Sequence, residues 1–168
     1  MHRAMNLKKE LVVLCNGKSL DMSDCVFYSY WHDYKALALA MLRRKKQNLK
    51  CVARAHRWDV FADKNKIPYL PFKKFIVDNL SNTISISKAG KEYFYEYVKP
   101  SPSAAISVSY LGKINDRKPL FEKRSNEILI CSCSTLTPVK QVDRIIEVLS
   151  LLNVENLHWV HFGDGLLR

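Results

Sequence analysis

Ile128-Leu129-Ile130-Cys131-Ser132-Cys133-Ser134 runs into Thr135-Leu136-Thr137-Pro138-Val139-Lys140. An amphipathic segment continues to Leu152, and Leu157-His158-Trp159-Val160-His161-Phe162 closes on Gly163-Asp164-Gly165. The order is strand, loop, helix, strand and glycine-rich turn, the pattern of a right-handed βαβ unit of nucleotide-binding type. Thr137 reads as the N-cap of its helix, Pro138 as the first helical residue, and Lys140 falls in the first turn. Unpaired N–H groups and the positive dipole end at such a terminus suit a diphosphate. A cation in that turn opposes the dipole, so an anion is expected to compensate it.

Upstream, the pattern continues. Residues 3–15 carry apolar side chains at helical spacing, with Gly17 as the expected C-cap. Cys25–Trp31, Lys50–Arg54, Thr83–Ile86 and Ala105–Ser109 read as strands, residues 34–46 and 72–80 as helices, and Ser87 as the N-cap of a helix through Tyr97. Short strands alternating with helices predict a parallel α/β sheet covered on both faces. Residues 112–126 are polar and without period, which marks a linker. The expected division is a partial Rossmann-like domain over 1–115, a linker over 116–126, and a partial second domain over 127–168.

The chain has 168 residues and a net charge of +11. Residues 1–110 hold 19 Lys/Arg against 9 Asp/Glu, whereas residues 111–168 hold 8 against 7. The basic character therefore belongs to the first part, and it points to an anionic partner there: acidic lipid, a phosphate-bearing acceptor or nucleic acid. No apolar run approaches the roughly 18 residues of a membrane span. The run Leu11–Cys15 is too short for a signal-peptide core, and Asn16-Gly17-Lys18 ends it without a cleavage pattern. Five cysteines, an odd number without framework spacing, fit reduced thiols and a cytoplasmic location. Basic residues would hold the chain at the inner face of a membrane.

Five motifs in order carry a resemblance: Arg54-Ala55-His56-Arg57-Trp58-Asp59, Ile84-Ser85-Ile86-Ser87-Lys88-Ala89-Gly90-Lys91, Val108-Ser109-Tyr110-Leu111-Gly112, Cys131 through Asp143, and His158 through Gly165. Together they resemble the GT-B glycosyltransferases, specifically the retaining family four of bacterial capsule, exopolysaccharide and lipopolysaccharide synthesis. The resemblance spans Asp24 to Arg168. It implies a GT-B-like fold made of two Rossmann-like domains. It also implies sugar transfer from a nucleotide-sugar donor, with retention, to a glycan or lipid-linked acceptor, the nucleotide-sugar being substrate and no cofactor being needed. Lys140 matches the family's diphosphate-contacting lysine. Where the family often carries an arginine five residues earlier, this chain has Thr135. The anion is thereby left to backbone N–H groups and the Thr135 and Ser134 hydroxyls. His56 matches a histidine that reaches the donor sugar near its reacting carbon, where an imidazole can donate to a hydroxyl or stabilise developing charge.

The remaining candidates have two readings each. Trp31 and Asp33 end a strand and would line the acceptor side, although Asp33 also suits a helix N-cap. Asp59 can bond His56 or cap the following turn. His56 can equally be a loop histidine packed on Trp58. Gly163 and Gly165 permit a tight turn or close approach of the donor. Cys131 and Cys133 share one strand face and read as core cysteines. His158 and His161 fall on opposite faces, and no tetrahedral zinc pattern occurs. Aromatics such as Tyr28, Tyr30, Trp31 and Tyr34 beside basic residues also permit a nucleic-acid module, though without a recognisable basic-helix or RNA-binding motif. The resemblance further implies paired glutamates after the Gly-Asp-Gly turn and a first glycine-rich loop. Neither is in the sequence, so an incomplete, inactive enzyme is the expectation.

Overall fold

A computed structural model describes residues 1–64, 68–112 and 126–167. The chain forms two compact units, Met1–Ile114 and Asn115–Arg168. All but Asn126 of the expected linker lies outside the described residues. Among those residues, no helix is long and apolar enough to cross a membrane.

The first unit is α/β. Strands β1 (Val26–Ser29), β2 (Lys50–Ala55), β3 (Asn82–Ser85) and β4 (Ile106–Val108) form one wholly parallel sheet in the order β1-β2-β3-β4. Helix α1 (His2–Gly17) precedes β1, and α2 (Tyr34–Lys45) joins β1 to β2. Then α3 (Arg57–Val60), a 3₁₀ turn (Ala62–Lys64) and α4 (Lys73–Asn79) lead to β3. Helix α5 (Lys88–Tyr93) widens into a π-helical turn over Phe94–Val98 before β4.

Packing explains where these elements lie. Helix α2 buries Ala36, Leu37, Ala38, Leu39, Ala40 and Leu42, nearly its whole circumference, because β1 and β2 contact it on one side and α1 and α4 on others. Its alanines meet Cys51 and Ala53 of β2, and these small side chains let helix and sheet approach closely. A second cluster seats fully buried Phe94 against Ala55, Val77 and Ile106. Burying such a ring contributes about 1.5–3 kcal/mol.

Both clusters lie on one face of the sheet, the face of Cys51, Ala53, Ala55 and Ile106. The opposite row differs: Val26 and Tyr28 are exposed, and Val52, Arg54 and Ile84 are half-buried. The expectation of a sheet covered on both faces is therefore corrected among the described residues. Consecutive strand order is the reason. A crossover between neighbouring parallel strands is right-handed, and successive steps in one direction put every connecting helix on the same side.

Several boundaries also move. Strand β1 covers only Val26–Ser29 of the Cys25–Trp31 run, since Ser29 Oγ donates to the Trp31 carbonyl at 2.6 Å and turns the chain. Gly17 is the last residue of α1, and Lys18 is its C-cap.

In the second unit, β5 (Ile128–Cys133) pairs in parallel with β6 (Leu157–Phe162), in register from Ile128 opposite Leu157 to Cys133 opposite Phe162. Helix α6 (Val142–Ser150) connects them and turns Val142, Ile145 and Leu149 inward at helical spacing. None of this unit's described residues is fully buried. Cys131 and Cys133 are exposed free thiols, which corrects their reading as core cysteines. One helix cannot cover both faces of a two-stranded sheet.

The start of α6 is a further correction. Pro138–Lys140 forms a separate 3₁₀ turn, and the Thr137 side chain makes no capping bond. Gln141, at φ 50° in the left-handed region, then breaks the path, so the α-helix opens at Val142 with acidic Asp143 in its first turn. Lys140 precedes the helix and does not oppose its dipole. The positive end is already complemented by Asp143.

Candidate active site at the carboxyl ends of the strands

In parallel α/β sheets, ligands settle beyond the carboxyl ends of the strands. Register staggers those ends here: Ser29 lies opposite Ala53, and Ala55 opposite Ser85. His56 follows Ala55 directly. The residue is only 7% exposed, and its ring packs beside Tyr30 and Trp31, with centroids 4.6 and 4.5 Å away. His56 and Asp59 face each other in a capping box around the first turn of α3, and neither ring nitrogen makes a hydrogen bond of full geometry there. Trp58, two residues on, is 60% exposed.

Asp59 fixes this arrangement. Its Oδ2 accepts the backbone N–H groups of His56 and His32, each at 3.2 Å, and so fastens the end of β2 to the end of β1. The same oxygen stands 3.7 Å from His56 Nδ1, too far for a hydrogen bond but near enough for charge to act. Burial lowers the pKa of His56; Asp59 opposes that shift and Arg54 adds to it. The lowered pKa favours the neutral imidazole.

Trp31 is 41% exposed and forms one wall of this site. Asp33 is the N-cap of α2, accepting the Lys35 N–H at 2.8 Å. Ser87 caps α5 through the Gly90 N–H at 3.1 Å. Both caps follow from residue type and position.

Sequence reasoning misses the neighbouring group. Lys73 opens α4 and is only 8% exposed, while His32 is completely buried. Lys73 Nζ donates to the His32 carbonyl and lies 3.2 Å from His32 Nδ1. Nε2 of that ring faces Thr83 Oγ1 at 3.4 Å. With Nδ1 accepting from Lys73, the proton of neutral His32 resides on Nε2. Burial pushes the Lys73 ammonium down to about 8 against the pull of Asp59 and Asp33. Burial, then the charge of Lys73, holds His32 well below its ordinary range. The available signal is helical spacing: Lys73 shares a face with buried Ile76 and Val77.

In the second unit, the loops after β5 and β6 lie against each other. Ser134 N–H donates to the Phe162 carbonyl and Leu136 N–H to the Asp164 carbonyl, both at 3.1 Å. A Cβ on Gly163 would stand 1.8 Å from the Ser134 carbonyl oxygen, and one on Gly165 2.3 Å from that of Leu136. These glycines are required by backbone approach. Beside them lies a cavity of about 350 Å³ lined by Thr137, Asp143, Trp159, His161 and Gly163. Ser134 and Thr135 flank this loop, whereas exposed Lys140 is not in its lining.

Ser132 and His161, opposite one another in the ladder, are also bonded. Trp159 Nε1 donates to Ser132 Oγ at 3.0 Å, and Ser132 Oγ lies 2.8 Å from His161 Nδ1. His161 Nε2 reaches the Ser134 carbonyl at 3.1 Å. Among the described residues, no group of three or more His, Cys, Asp or Glu side chains is arranged to hold a metal ion. Compared with known proteins, the chain matches no family model and no curated protein.

Proposed function

We propose that the chain carries parts of a GT-B-type glycosyltransferase of surface-polysaccharide synthesis, handling a nucleotide-sugar donor and a glycan or lipid-linked acceptor. The observation that carries this reading is His56. A buried imidazole at the carboxyl edge of a parallel sheet, with Asp59 beside its Nδ1, supports a role in meeting a sugar hydroxyl or a developing charge. In this reading Trp31 offers an apolar wall to the acceptor, and Asp59 is a positioning residue for the His56 backbone. The donor diphosphate lies on the second unit near Ser134, Thr135, Gly163 and Gly165, and Lys140 approaches it from an exposed turn.

The test is the imidazole ¹⁵N spectrum. Addition of a nucleotide-sugar is expected to shift the His56 ring resonances, whereas the nucleoside diphosphate alone leaves them in place. Lys140→Ala is expected to weaken binding of both by about 1–3 kcal/mol. Unmoved His56 resonances across a donor panel would overturn the reading.

One observation favours a second reading, a nucleic-acid module. Tyr28, Tyr30 and Trp31 are 50%, 48% and 41% exposed, in a unit rich in Lys and Arg. Exposed rings can stack bases, and the affinity would then fall steeply with salt. A stronger response to single-stranded nucleic acid than to nucleotide-sugar, lost at high salt, would favour it.

A further inference from the structure

Lys73 is a buried ammonium without a salt bridge: among the described residues, no carboxylate comes within ion-pair distance of its Nζ. Its neighbour Lys74, by contrast, is exposed and paired with Asp78 at 3.1 Å. Burying an amine in this way is costly. The backbone before it is strained too. Phe72 has φ 62°, a left-handed conformation that is unusual for a bulky residue and that clusters at functional sites. Both residues line a cavity of about 300 Å³, with Asp33 and Asp59 on its wall.

We propose that Lys73 is a carbonyl-reactive amine, whose Nζ forms an imine with a small uncharged aldehyde admitted to this cavity. Lys73 first loses one proton to solvent, and His32 Nδ1, 3.2 Å away, then relays the proton of the adding nitrogen. The nitrogen lone pair adds to the carbonyl carbon as the C=O π pair moves to oxygen, and the nitrogen's proton passes to His32. His32 returns that proton to the carbinolamine oxygen, and a second proton, drawn from solvent, lets the C–O bond break and water leave, so amine, aldehyde and one proton become iminium and water. No redox partner is needed. Asp33 and Asp59 select the charge type, since two carboxylates repel an anionic carbonyl compound but stabilise the iminium cation. Desolvated lysines are suited to this chemistry because more of the amine is free near neutrality. The inference is independent of the sugar-transfer reading and uses neither His56 nor Lys140.

Glycolaldehyde with cyanoborohydride at pH 7 provides the test, with peptide mass spectrometry following each lysine over time. In the folded chain Lys73 is expected to be alkylated at least about tenfold faster than exposed Lys45, and in urea that preference should vanish. His32→Gln is expected to slow Lys73 and leave Lys45 unchanged. Alkylation of Lys73 no faster than Lys45 in the folded wild-type chain overturns the proposal, whatever the variant does.

Discussion

The ammonium nitrogen of Lys73 lies 3.2 Å from Nδ1 of His32, two basic groups sharing one buried space. Only one of them can carry charge there at modest cost. The ammonium does so at pH 7, and it loses its proton at about 8. His32 remains neutral.

That arrangement fixes the alkaline behaviour. The folded pKa of Lys73 is below its ordinary 10.5, so the unfolded chain binds more protons between about 8 and 10.5. Stability is therefore expected to rise with pH across that window and to lose this contribution as pH falls back through 8. The full step is about 3 kcal/mol. Lys73→Met should abolish this pH step while leaving the buried His32 carbonyl and Nδ1 without their donor, as urea denaturation at pH 7 and 10 would reveal. A wild-type stability that falls from pH 8 to 10 would contradict this.

Acid acts through the histidines. His32 and His56 both have lowered pKa values in the fold. Their contribution is present above the ordinary histidine pKa of about 6.5 and is lost as pH falls below it. Denaturation between pH 7.5 and 5 should record a decline that His32→Gln and His56→Gln each reduce.

Asp59 tests the junction of β1 with β2. Its carboxylate accepts two backbone N–H groups, so Asp59→Ala leaves both buried donors unsatisfied and is expected to cost about 2–4 kcal/mol. Asp59→Asn retains an acceptor oxygen and should cost less. Equal losses in denaturant melts would assign the effect to charge.

Gly90 faces β3 so closely that an added Cβ would stand 2.4 Å from Ser85 Oγ. Gly90→Ala should destabilise the first unit by about 1–3 kcal/mol. Combined with Ser85→Ala the cost should shrink, because the obstructing atom is then gone, and calorimetry of the double-mutant cycle would measure that coupling.

The strands, the parallel α/β class and the caps at Asp33 and Ser87 are legible in the sequence because each rests on local chemistry: apolar runs, turn residues, a side-chain oxygen before a helix. What local chemistry does not encode is missed. The left-handed turn at Gln141 displaces the start of α6 from Thr137 to Val142, although Thr137-Pro138 is a good opening signal. The open sheet face depends on strand order, which periodicity does not report. Of the candidate site, His56 and Asp59 are found by motif, and the structure brings them together with Trp31. His32 and Lys73 are missed because they meet only through tertiary packing, 41 residues apart in sequence.

The order β1-β2-β3-β4 also bears on how the chain is made. Each new strand adds beside the one synthesised just before it, so its hydrogen-bonding partner already exists when it leaves the ribosome. No strand must wait for a later one to be inserted between neighbours. Loop closures therefore stay short, and the growing sheet has one advancing edge. The first unit can accordingly fold vectorially during translation, and ribosome-stalled chains ending after β3 should already protect the β1 and β2 amides from exchange.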